Sequence, residues 1–225
     1  MTAEVLVAGG TGALGAAVVK ELVTSGYPVA ATWVVEKERE RLQGVEGVEL
    51  IQADLFDVSQ VASAVAAISE IEAVVNLVGG YADGPRVHET DPAEFDRLMR
   101  LNLRPNILLA RAAIPRFLRR GGGAFVAVSA RPALQPFPGA APYIVSKAAV
   151  LSFVQTLDVE YRQDGIRANA VLPSVIDTPA NRAAQPDADY SKWVAPEAIA
   201  KVVRFLVADD SAPMSGAAVP VYGRA

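Results

Sequence analysis

Cysteine is absent from all 225 residues, which excludes disulfides, thiolate nucleophiles and thiolate metal sites. Histidine occurs once, at His88, and a single imidazole cannot build a metal site, so none is expected. Charge of one sign is scarce as well. The net charge is -4, and the densest charged run, Glu36 to Arg41, mixes signs instead of forming the basic stripe that follows nucleic-acid phosphates. No apolar run approaches the roughly 20 residues that span a bilayer, because Gly, Pro or a charge interrupts every candidate. The chain runs from Met1-Thr-Ala-Glu straight into Val5-Leu-Val, with no basic leader and no small-residue cleavage pattern. A soluble, cytoplasmic protein with no membrane or nucleic-acid partner is therefore expected. No repeat, low-complexity tract or long Gly/Ser linker divides the sequence, which predicts one domain over residues 1–225.

Hydrophobic residues make up 52% and charged residues 20%, a balance that supports a large core. Short Val- and Ala-rich runs recur at Val5 to Ala8, Val29 to Thr32, Val48 to Ile51, Ala73 to Val78, Ala124 to Val128, Ala168 to Leu172 and Ala217 to Val221. These read as strands. Helix-length segments lie between them at Leu14 to Ser25, Val58 to Ser69, Asp91 to Leu118, Tyr143 to Arg162 and Pro196 to Val207. Continuous apolar strands alternating with helices predict an α/β fold, a Rossmann-like doubly wound parallel sheet of about seven strands with helices on both faces. Such a sheet binds its ligand at the carboxyl ends of the strands, where the strand order reverses. The longest irregular connection, Leu172 to Pro196, has the length of a lid over a site.

The first strand ends in Gly9-Gly10-Thr11-Gly12-Ala13-Leu14-Gly15, and a helical pattern opens there. Glycine permits a sharp turn and close approach to a pyrophosphate, while the helix N-terminus offers free N–H groups and partial positive charge. A dinucleotide is thus the expected cofactor. The second strand of such folds delivers an acid to the adenosine ribose, yet this chain has Trp33 there. Without that carboxylate, repulsion of a ribose 2'-phosphate is weaker, and Lys37, Arg39 and Arg41 follow closely. NADP is favoured, with NAD the alternative. The three cations also fit a solvated helix face, and Glu36 is a displaced candidate for the ribose acid. After the third strand, Asp54-Leu55 either contacts adenine or supplies, through Asp54, the cap of the helix near Val58.

Tyr143 and Lys147 stand four residues apart on a helix and share a face. A phenol with an ordinary pKa near 10 is a poor base, and a nearby ammonium favours the phenolate. Ser129 precedes the tyrosine by fourteen positions at the end of the fifth strand, and Asn102 lies in the long helix before it. With Gly9 to Gly15, Asp54 and Asn76-Leu77-Val78-Gly79 in order, the chain resembles the short-chain dehydrogenase/reductase family over its whole length. That resemblance implies an enzyme that passes hydride between nicotinamide and a small carbonyl or alcohol substrate. It implies a catalytic tetrad in which Tyr143 exchanges a proton with the substrate oxygen and Ser129 hydrogen-bonds that oxygen. Lys147 would lower the tyrosine pKa and hold the nicotinamide ribose, and Asn102 would position a relay water. Gly9, Thr11, Gly12, Ala13, Leu14, Gly15, Trp33, Asp54, Leu55, Asn76, Gly79, Ile176 and Thr178 would join Tyr143 and Lys147 around the cofactor.

Ala13 stands where the family commonly has glycine, and Asn76-Leu77-Val78-Gly79 replaces the usual Asn-Asn-Ala-Gly. A narrower resemblance exists to quinonoid dihydropteridine reductases. It rests on the glycine loop, on Gly79-Gly80 and on the tail from Leu172 to Arg182 followed by Asp189-Tyr-Ser-Lys-Trp193; those enzymes lack a serine matching Ser129. A non-catalytic dinucleotide sensor is a further alternative. Tyr190, Trp193 and His88 are candidates for lining a substrate pocket. The family resemblance also implies a homodimer or homotetramer through the long helices, with Ile107, Ala110, Ala149, Phe153 and Leu157 as candidate contacts.

Overall fold

The computed structural model describes residues 4–224; residues 1–3 and 225 of the expected domain lie outside the described residues. Seven strands form one sheet: β1 (Val5–Ala8), β2 (Val29–Trp33), β3 (Val48–Gln52), β4 (Ala73–Asn76), β5 (Gly123–Val128), β6 (Ile166–Pro173) and β7 (Ala218–Val221). Their order is β3-β2-β1-β4-β5-β6-β7 and every pairing is parallel. Alternation along the strands decides which residues face which layer. Val5 and Val7 of β1 pack with Val18, Val19 and Leu22 of α1 (Ala13–Thr24) and with Ile199, Val203 and Leu206 of α7 (Pro196–Val207). Leu6 and Ala8 face the opposite layer, which holds α2 (Val58–Ala66), α4 (Arg104–Arg120) and α5 (Ala141–Tyr161). Helices thus cover both faces, as expected of a doubly wound sheet.

The expected single helix from Asp91 to Leu118 is two, α3 (Pro92–Asn102) and α4, joined at Leu103. Pro105 explains the break: it lacks an N–H for the carbonyl of Leu101 and its ring crowds that carbonyl. Asp91 starts α3 by accepting a hydrogen bond from the Ala93 N–H, with Pro92 in the first turn. The long connection before α7 contains a short helix, α6 (Pro179–Ala184). No helix among the described residues is long and apolar enough to cross a membrane.

The strand order reverses between β1 and β4, where Ala8 pairs with Asn76 and the chain leaves in opposite directions. In sheets of this topology the ligand crevice lies at these two carboxyl ends. Its walls are the Gly9 turn on one side and the segment after Asn76 on the other, and the two touch: a Cβ on Gly9 would lie 3.0 Å from Val78 Cγ2.

Candidate active site

The glycine turn is built around backbone that only glycine takes easily. Gly9 has φ +75°, donates its N–H to Thr32 Oγ1 (2.9 Å) and accepts from the Gly12 N–H (3.1 Å). Gly12 is the N-cap of α1 and has no side chain to cap it, so among the described residues the first-turn N–H groups of Ala13, Leu14 and Gly15 have no side-chain cap. Gly15 packs directly on the backbone of Gly9 and Gly10, and Thr11 is buried.

At the end of β2 the two nearest cations have defined partners. The Arg39 guanidinium lies 4.7 Å from the centre of the Trp33 ring and pairs with Glu36 (2.5 Å). Arg41 donates to the Thr11 carbonyl (2.8 Å), tying this segment to the glycine turn, and pairs with Glu38 (2.9 Å). Lys37 is exposed. Glu36, a candidate for the ribose, is thus engaged by Arg39. The cap of α2 is Asp57, which accepts from the Ser59 and Gln60 N–H groups, so the alternative that Asp54 caps it is corrected. Asp54 is exposed and instead accepts from the Phe56 N–H (2.9 Å). Leu55 is a buried core residue beside it.

Helix α5 carries the reactive pair. Its buried residues Ser146, Lys147, Val150, Leu151, Val154, Leu157 and Asp158 recur at helical spacing, so Lys147 occupies a position in the row that faces the core. The Lys147 ammonium donates to the Val128 carbonyl at the end of β5 (3.0 Å). Burial pushes it down from the ordinary lysine value to about 8. Tyr143, one turn earlier and half-buried, sits with its ring 4.9 Å from that of Tyr81 at 76°. Burial, and secondarily Tyr81, holds its phenol above the ordinary tyrosine value. The Lys147 ammonium, expected to lower it, is hydrogen-bonded to the Val128 carbonyl.

Ser129, expected at the substrate oxygen, lies at the end of β5 beside this pair. Its buried hydroxyl donates to the Lys147 carbonyl (2.7 Å) and makes no hydrogen bond with Tyr143. The bond fastens the end of β5 to α5. Asn102, fully buried, is likewise engaged through its side chain. Its Oδ1 accepts from the Gly80 N–H (2.8 Å), and its Nδ2 donates to the Gly80 carbonyl (3.1 Å) and to Ser146 Oγ (2.8 Å). Ser146 in turn donates to the Tyr143 carbonyl (2.7 Å). Gly79 threads between these groups: a Cβ there would lie 2.6 Å from Asn102 Oδ1 and 2.9 Å from Lys147 Nζ. Asn76 is buried, and its Oδ1 accepts from the Val78 N–H (3.1 Å).

Tyr143, Lys147, Ser129, Asn102 and Gly79 therefore converge at the carboxyl ends of β4 and β5. Ile176 and Thr178 lie on the segment after β6, where the Thr178 hydroxyl caps α6 through the Asn181 N–H (3.2 Å). Tyr190 and Trp193 pack on each other (4.7 Å), and Arg182 covers Tyr190 (4.7 Å). His88 is exposed beside Glu89. Two participants escaped the sequence reading, Tyr81 and Ser146. The signal for each was present: an aromatic directly after Gly79-Gly80, and a serine three residues past Tyr143 on the same helix face.

Residues 9–223 match the profile of a family described as enoyl-(acyl carrier protein) reductase. The 2-(R)-hydroxypropyl-CoM dehydrogenase of Xanthobacter autotrophicus is 34% identical over 165 residues, 68% of this chain and 66% of that protein. The 4-formylbenzenesulfonate dehydrogenase TsaC1/TsaC2 of Comamonas testosteroni is 31% identical over 176 residues, 68% of this chain and 70% of that protein. The alignments to curated relatives span between half and 70% of those relatives' lengths. A solved structure of a short-chain dehydrogenase/reductase family protein superposes with a TM-score of 0.90 at 29% identity, covering 99% of this chain and 98% of the other. With the parallel sheet and the converging Tyr143 and Lys147 already in place, these likenesses identify the chain as a member of the short-chain dehydrogenase/reductase family of oxidoreductases.

Proposed function

We propose that the chain transfers hydride between NADP(H) and a small carbonyl or alcohol substrate, with Tyr143 exchanging the proton and Lys147 as its partner. The observation that carries this reading is a lysine in the core-facing row of α5, its pKa pushed to about 8, one turn from a tyrosine at the crevice. Burying an ammonium is costly, and such groups cluster where chemistry requires them. A nicotinamide dinucleotide fits the cradle: the start of α1, whose N-cap Gly12 has no side chain, suits a pyrophosphate, and glycine at position 79 lets the backbone pass closely by Lys147 and Asn102. When bound, that cofactor supplies or accepts the hydride. Lys147 would hold the nicotinamide ribose and supply positive charge beside Tyr143, and the Tyr143 hydroxyl would donate to a carbonyl oxygen as negative charge develops there. Ser129 and Asn102 act by holding α5, β5 and the segment after β4 in register.

Arg39 on Trp33 and Arg41 on the glycine turn support NADP over NAD, since no carboxylate stands at position 33. Association into a homodimer or homotetramer is part of the same proposal. Of the expected contact residues, Ile107 is 41% exposed and available, whereas Ala110 and Leu157 are buried in the core of the protomer. The test is nicotinamide absorbance with a panel of ketones and aldehydes. Turnover that disappears in Tyr143→Phe, with cofactor binding retained, supports the reading; full activity in that variant overturns it.

The engagement of Ser129 favours a second reading, reduction of a quinonoid dihydropterin. Hydride addition to that conjugated ring needs one proton donor and no second hydroxyl at a carbonyl oxygen. Quinonoid dihydropterin assayed beside the ketones separates the two.

A further inference from the structure

We infer that Tyr81 is the specificity-determining wall of the substrate site and selects flat, conjugated acceptors. The inference rests on the proposed hydride transfer only for the position of the reacting atoms. Tyr81 follows directly on Gly79-Gly80, so the clamp of Asn102 on Gly80 fixes where its backbone leaves the crevice. Its ring meets that of Tyr143 edge-on, with centroids 4.9 Å apart, yet 53% of the residue remains open to solvent. An aromatic ring so exposed beside the reactive phenol presents a π surface to whatever approaches Tyr143.

Two further bonds make that surface a fixed wall. The Tyr81 hydroxyl donates to Asp83 (2.9 Å), the Gly84 N–H donates to the Gly139 carbonyl (2.7 Å), and Gly139 belongs to the segment that leads into α5. Ring, loop and reactive helix are therefore held together on both sides of Tyr81. A rigid aromatic wall gains most from a flat partner that stacks or meets it edge-on, and little from a puckered ring of equal size. Aryl ketones or aldehydes and quinonoid heterocycles share this chemistry.

The matched pair acetophenone and cyclohexyl methyl ketone tests it, since the two differ in flatness far more than in size. Wild-type protein is expected to favour acetophenone in kcat/KM by about two- to tenfold, the range an aromatic pair contributes. Tyr81→Ala and Tyr81→Leu should bring that ratio close to one, while Tyr81→Phe keeps it. A merely structural Tyr81 would lower both substrates together and leave the ratio unchanged, which overturns the inference; so does a wild type without preference. Quinonoid dihydropterin, run in parallel, shows which flat acceptor is the better substrate. Binding of 1-phenylethanol and 1-cyclohexylethanol to the NADPH-loaded protein, where neither alcohol has a hydride acceptor, provides a readout independent of turnover. If no ketone or pterin is reduced but 1-phenylethanol binds more tightly in a Tyr81-dependent way, the hydride reading fails and the aromatic wall stands. Equal binding of the two alcohols removes the wall whatever the turnover.

Discussion

Replacing Ser129 by alanine separates a frame residue from a proton donor. The Ser129 hydroxyl hydrogen-bonds the Lys147 carbonyl at 2.7 Å in a buried setting. That carbonyl lies within α5 and keeps its own helical partner, so the variant removes one hydrogen bond without stranding the acceptor. The expected loss is therefore near the net value of a single buried hydrogen bond, about 1 kcal/mol. For a domain of this size that lowers Tm by roughly 2–4 °C. Activity follows a different scale. A hydroxyl that stabilised the developing oxyanion would take about 100- to 1,000-fold of kcat with it. The geometry instead predicts a fall in kcat of less than about fivefold, from slight loosening of α5 under Lys147. Melting by circular dichroism and kcat at 25 °C with the best carbonyl substrate measure both. A drop of about 100-fold in kcat at unchanged Tm would refute the reasoning and return Ser129 to the substrate oxygen.

Tyr143→Phe should lose at least about 100-fold in kcat while fluorescence titration shows cofactor affinity changed by less than about threefold. Lys147 carries a pKa of about 8 in the folded protein against the higher ordinary value in the unfolded chain, so the unfolded state holds more protons above that pH. The folded protein should therefore gain stability relative to Lys147→Met as pH rises through about 8 toward 10, read by urea unfolding at several pH values; a constant difference would show that the ammonium is not buried. The kcat/KM ratio of NADPH to NADH should be at least one in the wild type and fall in Arg39→Ala, whereas an unchanged ratio assigns that cation to the solvent face. Light scattering at micromolar concentration should give a dimer or tetramer, and a monomer would refute the proposed association.

Much of this architecture was visible in the residues before any coordinates. The strands were legible because uninterrupted Val and Ala runs bounded by glycine have few alternatives, and Tyr143 and Lys147 because a four-residue spacing can be read on a helix. The break at Leu103 was harder, since apolar spacing continues on either side and only Pro105 marks it. Asp57, placed immediately before Val58, is the stronger capping signal than Asp54, yet both are acids near the same helix start. Two properties were not legible at all. The direction of the Ser129 hydroxyl depends on how closely β5 and α5 pack, eighteen residues apart in sequence. The upward shift at Tyr143 comes first from burial of its phenol and secondarily from Tyr81, which lies far away along the chain and adjacent in space.

The three hydrogen bonds of Asn102 to Gly80 and Ser146 have a consequence for how this scaffold could be altered. They fix the segment after β4 to the reactive helix as far as Gly80, and the loop from Tyr81 to the start of α3 leaves the site beyond that clamp. Exchanging the stretch 85–90 for loops of other length or chemistry should thus retune which molecules are admitted without disturbing the reacting groups. Catalysis and recognition are written in adjoining but separable parts of the chain.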